Sequence, residues 1–253
     1  MPKHWWKTFF EEDFARLFLV RHPREVTQTV RFLMKHLHLK KDDLLFDQCS
    51  GIGTISHALA EQGYRTIGIE QSRRYVQEAQ ETAKKEQLKN CLFISGDALR
   101  FLPSETADGA FNWYTSFGYY LDDEQNLQML KQAFASLKKG KWFALDFHNS
   151  FYLLRGRLPV RTYIKKINKQ TIRVKRHSWV NLEHGTLTSE WTYSFPGEPD
   201  RVRAGTTRLY MPAELKQMFL QAGFRDLRFF GGTDEQPLSL KSPRCIIVGR
   251  KPL

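Results

Sequence analysis

The stretch Leu44 to Glu70, LLFDQCSGIGTISHALAEQGYRTIGIE, restricts what this chain can fold into more than any other. Leu44, Leu45 and Phe46 form a short apolar run of the kind a parallel strand needs when both of its faces are covered. Asp47 ends the run. Cys49-Ser50-Gly51-Ile52-Gly53 then turns the chain, and its two glycines let a ligand approach the backbone where a Cβ would collide. Ile55, Ala58, Leu59 and Ala60 recur at helical spacing, so the turn opens onto a helix N-terminus, and Gly63 closes that helix at its C′ position. Thr66-Ile67-Gly68-Ile69 reads as a second strand, with Glu70 at its end. A carboxylate there accepts two hydrogen bonds from a ribose diol, which is how open α/β sheets hold nucleoside cofactors.

Two cofactor types fit such a unit. A dinucleotide site expects G-x-G-x-x-G with the pyrophosphate on the helix N-terminus. Here the turn begins with Asp47, which repels phosphate and attracts an ammonium, and this favours S-adenosylmethionine. The segment Asp47-Gln48-Cys49-Ser50-Gly51-Ile52-Gly53 resembles the D-x-G-x-G-x-G motif of the class I S-adenosylmethionine-dependent methyltransferases, with Cys49 in place of the first glycine. Gly96-Asp97-Ala98, after a third strand at Cys91 to Ser95, resembles the family's adenine-binding motif. Asp108 stands before a fourth strand, Gly109 to Asn112, as the family's acid does. The resemblance implies a Rossmann-like α/β fold with a seven-stranded, mostly parallel sheet flanked by helices. It implies S-adenosyl-L-methionine as cofactor, with Asp47, Cys49 and Gly51 near its methionine moiety, Gly53 at the helix opening, Glu70 on the ribose, Asp97 and Ala98 on the adenine, and Gln71 and Asn112 also toward the cofactor.

Ahead of this core, Trp6, Phe9, Phe10, Phe14, Leu17 and Phe18, then Val26, Val30, Leu33, Met34 and Leu37, recur at three and four. This predicts two amphipathic helices broken at His22-Pro23. In methyltransferases of this look such helices lie over the cofactor, so Trp5, Trp6, Phe9 and Phe10 are expected to close the pocket. Behind the core, Ser72 caps a helix to Lys85, a further helix runs from Asp122 to Leu137 and ends at Lys138-Lys139-Gly140, and Trp142 to Phe147 is the fifth strand. The aromatic stretch Trp113 to Tyr120 lies at the carboxyl end of a central strand, where ligands bind in open α/β sheets. Its TSFGY segment resembles small-molecule methyltransferases, including those acting on amino sugars. Tyr114 and Tyr119, with Phe117, are therefore candidates for packing around the reacting groups. His148 and Asn149 face the same crevice. His148, with an ordinary pKa of about 6.5, is a candidate base, and bonding to a neighbouring carbonyl is the other role open to it.

From Arg161 to Tyr210 the pattern changes to period two, with turn signals at Asn168-Lys169-Gln170, Glu183-His184-Gly185 and Phe195 to Asp200, which predicts antiparallel hairpins. Pro212 to Ala222 is a last helix, and Phe224 to Gly231 and Arg244 to Lys251 are closing strands. The expected division is residues 1–41 as N-terminal helices over the cofactor, 42–150 with 211–253 as the methyltransferase core, and 151–210 as an inserted antiparallel cap.

The net charge of +12 is local: residues 1–149 carry +1 and residues 150–253 carry +11. Nine basic and no acidic residues fall between Arg155 and Arg176. That run is either a solvated strand face or a landing surface for an anionic substrate or RNA. There is no stretch of about 20 apolar residues and no apolar signal segment, so the expected location is the cytoplasm, with no membrane partner. Cys49, Cys91 and Cys245 sit in or beside expected strands, as buried thiols would, and no metal-ligand spacing joins them to a histidine. The expected reaction is methyl transfer to nitrogen or oxygen of a small molecule. An RNA methyltransferase gripping phosphates through residues 155–176, and a non-catalytic protein that lost its cofactor through Cys49, are the alternatives.

Overall fold

The apolar runs form the centre of a seven-stranded sheet whose two faces are both covered. In the computed structural model, residues 5–156, 158, 160–167 and 170–253 are described. Strands β1 (Leu44–Gln48), β2 (Arg65–Glu70), β3 (Cys91–Ser95), β4 (Ala107–Asn112) and β5 (Leu137–His148) are parallel, while β11 (Arg244–Arg250) runs antiparallel between β5 and β10 (Arg225–Phe230). The order is β10-β11-β5-β4-β1-β2-β3. Because β1 pairs with β2 on one side and β4 on the other, the chain reverses direction there, and the crevice at that switch point opens beyond Asp47, Glu70 and Asn112.

Successive residues of each strand serve opposite layers. Phe46, Ala110, Phe143, Leu145 and Ile247 pack with Met129 and Leu130 of α6 (Asp123–Ser136) and with Leu215 and Phe219 of α8 (Pro212–Ala222). Their neighbours Leu45, Phe111, Ala144, Ile246 and Val248 pack with Val30 and Leu33 of α3 (Pro23–His36) and with Ile55 and Leu59 of α4 (Thr54–Glu61). The strand period of two thus feeds both cores. Pro23 stands at the first position of α3 and Ser72 caps α5 (Arg73–Lys85), as their residue types require.

Three expectations change. The N-terminal segment is not one helix but α1 (Trp6–Phe9), α2 (Glu12–Phe14) and a π-helical turn, Ala15–Leu19. Pieces this short have no stability of their own. Burial of Trp5, Trp6 and Phe9 holds them, at about 1.5 to 3 kcal/mol for a large apolar side chain. Second, Lys138-Lys139-Gly140 is strand rather than turn: β5 begins directly after α6, and Gly140 donates its N–H to Lys251 and Pro252 carbonyls. Third, only Cys245 is fully buried, with Cys49 and Cys91 half-buried.

The period-two segment forms a separate antiparallel sheet, β6 (Arg161–Ile167), β7 (Gln170–Asn181), β8 (Thr186–Ser194) and β9 (Arg201–Arg208), preceded by α7 (Ser150–Leu154). Of the expected turn residues, Asn168 and Lys169 lie outside the described residues, as does Arg157 of the basic run. Ile172, Val174, Trp191 and Tyr193 form this sheet's inner face and pack on Trp5, Trp6, Phe9 and Leu17. The N-terminal segment is clasped on both sides. Glu11 and Asp13 pair with Arg203 and Arg201 of β9, each at 2.8 Å. Trp6 donates its indole N–H to Gln71 Oε1 at 3.1 Å, and Tyr75 of α5 donates its hydroxyl to the Glu11 carbonyl at 2.9 Å.

Candidate active site

A cavity of about 1000 Å³ occupies the crevice beyond the carboxyl ends of β1, β2, β4 and β5, with the inner face of the second sheet and the N-terminal aromatics as its roof. Its two halves differ in charge.

The first half is acidic. The Cys49 and Ser50 N–H groups both donate to the Ile69 carbonyl, which folds the turn after β1 against the end of β2. The Glu70 carboxylate then accepts from the Gly51 N–H at 3.1 Å and the Ser72 N–H at 2.8 Å. Both oxygens keep further lone pairs for a diol. Burial raises its pKa, against the pull of those backbone donors. Asp47 is buried and accepts from the Ser56 hydroxyl at 2.7 Å. Burial pushes its pKa up to about 7, the Ser56 hydrogen bond holds it down, and the charge on Glu70 adds to the rise. Among the described residues no basic side chain pairs with either carboxylate. Two withdrawn carboxylates without a counter-charge suit a ligand that brings hydroxyl donors and positive charge. S-adenosylmethionine, with its ribose diol, ammonium and sulfonium, fits that donor set; a pyrophosphate does not.

The cavity is lined by Asp47, Cys49, Gly51, Glu70, Gln71, Asp97 and Ala98 from the expected cofactor set. Asp97 accepts from the Leu99 N–H at 2.9 Å, which fixes its turn. Gly53 stands at the helix opening, as expected, as the N-cap of α4, but it does not line the cavity: it sits at φ +79°, and a Cβ there would stand 2.6 Å from the Phe93 ring. Packing and backbone by themselves demand a glycine at this position. Asn112 is buried beneath the floor, donating to Gln48 Oε1 at 3.2 Å and toward Cys49 Sγ at 3.9 Å. Cys49 itself adopts φ +72°, a left-handed conformation that favours glycine, so the position keeps the geometry of the family motif without its residue. Burial, followed by the charges of Glu70 and Asp47, raises its thiol well above the usual range.

The second half carries the acceptor-side candidates. Tyr114, Tyr119 and His148 all line it. Tyr119 stacks on Phe10, with ring centroids 5.6 Å apart, and lies 5.0 Å from Trp5. Arg21 stands 4.0 Å over the Tyr114 ring. Burial raises both phenols above their ordinary range, so they stay protonated. His148 is held well below its usual pKa by burial and then by Arg244 and Arg176. Arg244 Nη1 is 3.4 Å from His148 Nδ1. A guanidinium only donates, so Nδ1 is the acceptor and Nε2 carries the proton. His148 is thus a neutral N–H donor at Nε2. Asn149, expected in the crevice, is buried and instead donates to the Ser239 and Ser242 carbonyls.

Sequence reasoning passed over the residues that shape this half. Asp146 of β5 and Arg244 of β11 form a two-point ion pair, 2.7 Å on each arm, and Arg244 also donates to the Thr115 hydroxyl at 2.7 Å. Tyr114 and Thr115 both have positive φ, +57° and +63°, and their N–H groups bond to Asp146. Nothing local in the sequence marks the pair, which are 98 residues apart. Arg176 had a readable signal: in Ile172-Arg173-Val174-Lys175-Arg176 it shares a face with the two buried aliphatics.

A family model described as a methyltransferase domain matches residues 39–196. The CcbJ methyltransferase from Streptomyces caelestis superposes with a TM-score of 0.77 at 17% identity, covering 91% of each chain. The sugar N-methyltransferase KedS8 from a Streptoalloteichus species superposes with a TM-score of 0.75 at 16% identity, covering 96% of this chain and 92% of that one. An uncharacterized RNA methyltransferase of Lactobacillus johnsonii is 31% identical over 88 residues, which is 35% of this chain and 19% of that relative. The likeness therefore takes in about a fifth of that relative's length. With the family match over most of the chain, and the sheet order and carboxylate pair described above, the chain belongs to the class I S-adenosylmethionine-dependent methyltransferases.

Proposed function

We propose that the enzyme transfers the methyl group to nitrogen or oxygen of a small molecule held beneath the antiparallel cap. The supporting observation is the roofed cavity, which continues from the carboxylate pair to the inner face of the second sheet. In this reading Gly51 and Asp47 hold the methionine moiety, Glu70 and Gln71 the ribose, and Asp97 and Ala98 the adenine. Residues 1–41 act as the cover, 42–150 with 211–253 as the core, and 151–210 as the cap.

The cofactor, when bound, supplies an activated methyl group on its sulfonium. The chain's own residues then align and dry the reactants, a contribution that reaches effective molarities on the order of 10⁵ M. Tyr114 and Tyr119 wall the acceptor, and the Asp146–Arg244 pair fixes the loop that carries Tyr114. With Nε2 protonated, His148 can donate to an acceptor oxygen beside the attacking atom and does not abstract a proton there, so an amine is expected to enter neutral with its lone pair free for the methyl. Glu70→Ala is expected to weaken S-adenosylmethionine binding by about 1 to 3 kcal/mol, the cost of unpaired polar partners, read by titration calorimetry; unchanged affinity removes the ribose role.

The second reading, RNA as acceptor, is supported by the exposed Arg161, Lys166, Arg173 and Lys175 on the first two strands of the cap and by the partial likeness to the uncharacterized RNA methyltransferase of Lactobacillus johnsonii. Incubating the enzyme and methyl-labelled cofactor with a metabolite extract and, in parallel, with total RNA separates the two. Label in the small-molecule fraction alone supports the first reading, and label in RNA replaces it.

A further inference from the structure

Among the described residues, Arg176 is the one arginine on the cavity wall without a carboxylate partner. Arg244 is neutralised by Asp146, and Arg21 lies 3.9 Å from Glu25. Arg201, Arg203 and Arg208 of β9 pair with Asp13, Glu11 and Asp123. Among the described residues no carboxylate lies within ion-pair distance of Arg176. Its partners are neutral hydroxyls: Nε donates to Ser178 Oγ and Nη2 to Ser189 Oγ, both at 3.1 Å, those two hydroxyls bond each other at 2.9 Å, and the Tyr163 hydroxyl is a further partner of the guanidinium.

The guanidinium also rests on an aromatic shelf. It stands 5.0 Å over the Trp191 ring, which is stacked on Tyr163 with an interplanar angle of 10°. Its strand position turns it inward beside buried Ile172 and Val174 and into the cavity. Serines and rings fix the direction of the planar fork while leaving its charge uncompensated. A desolvated cation so held is stabilised by an incoming anion, and a guanidinium fork matches the oxygens of carboxylate and phosphate in particular.

We propose that the methyl acceptor is anionic and that Arg176, on its shelf of Ser178, Ser189 and Trp191, receives the acceptor's carboxylate or phosphate. This deepens the acceptor reading of the cavity and rests on it. The anion is gripped at the roof and is not itself methylated, so Arg176 selects the substrate.

The test uses the full chain saturated with S-adenosylhomocysteine and titrated by calorimetry, at low salt, with benzoate, phenyl phosphate and benzyl alcohol. One or both anions are expected to bind at least about tenfold tighter than the alcohol, as charge-assisted contacts do, and the tighter of the two identifies the group. Arg176→Met is expected to remove that preference while keeping its affinity for S-adenosylhomocysteine and its thermal midpoint, and Arg176→Lys is expected to retain part of it. No binding of either anion, equal affinity for alcohol and anions, or a preference that survives in Arg176→Met overturns the proposal. If S-adenosylhomocysteine itself fails to bind, the placement of the cofactor falls and this inference with it. If it binds and no anion preference is seen, only the role of Arg176 falls.

Discussion

If Asp47 meets the cofactor's positive charge as proposed, its carboxyl links cofactor binding to pH. Its carboxyl is raised from an ordinary 3.8 to about 7, chiefly by burial. Without ligand the folded state therefore holds a proton that the unfolded state has lost, and stability falls as pH rises from about 4 to about 7. A bound ammonium or sulfonium reverses the sign, because it requires the ionised form. S-adenosylmethionine affinity, measured by calorimetry, is expected to drop as pH falls below about 7, approaching tenfold per unit, and Asp47→Asn is expected to flatten that dependence. Gly53 teaches a different lesson. The sequence motif suggests a ligand as the reason for glycine there, and the structure adds a second reason, the Phe93 ring and the positive φ. Gly53→Ala is expected to destabilise the fold by about 1 to 3 kcal/mol through strain and overpacking, read as a lower urea midpoint with unchanged slope. Cys49 is the converse: a residue that breaks the motif yet occupies the conformation the motif exists to permit.

At the scale of elements, the parallel strands were legible because a strand covered on both sides must be continuously apolar, and the carboxylates at their ends were legible because open sheets bind there. The N-terminal helix was misread as continuous because ring spacing of three and four also arises when aromatics fill an irregular seam between two layers. The onset of β5 was missed because its pairing with Ala107 and its closure by the chain's last residues are tertiary. The Asp146–Arg244 strut is likewise invisible until β5 and β11 are paired in register. Asp146 is 5% exposed at its side chain, so Arg244→Met leaves a buried carboxylate uncompensated. The expected loss is about 3 to 5 kcal/mol, measured by chemical denaturation. An Asp146→Asn, Arg244→Met double variant is expected to recover part of it, since neither buried charge then remains.

On the scale of the whole molecule, the uneven charge noted in the sequence resolves into a near-neutral core and a basic cap. The cap's basic residues divide by strand alternation: Arg173 and Lys175 face outward, and Arg176 faces the cavity. Reading the run as a single solvated face or a single landing surface could not separate these. Among the described residues, no helix is long and apolar enough to cross a membrane.

The clasped N-terminal segment has a kinetic consequence. Its Trp6 closes over Gln71, on the side proposed to hold the nucleoside, while Trp5 and Phe9 form the packing against which the roof rests. One strap secures both compartments, so the enzyme is expected to load its donor first and discharge its spent donor last. Steady-state product inhibition reads this directly: S-adenosylhomocysteine should compete with the donor and act noncompetitively toward the acceptor. A random-order pattern would mean that the strap lets the two compartments empty independently.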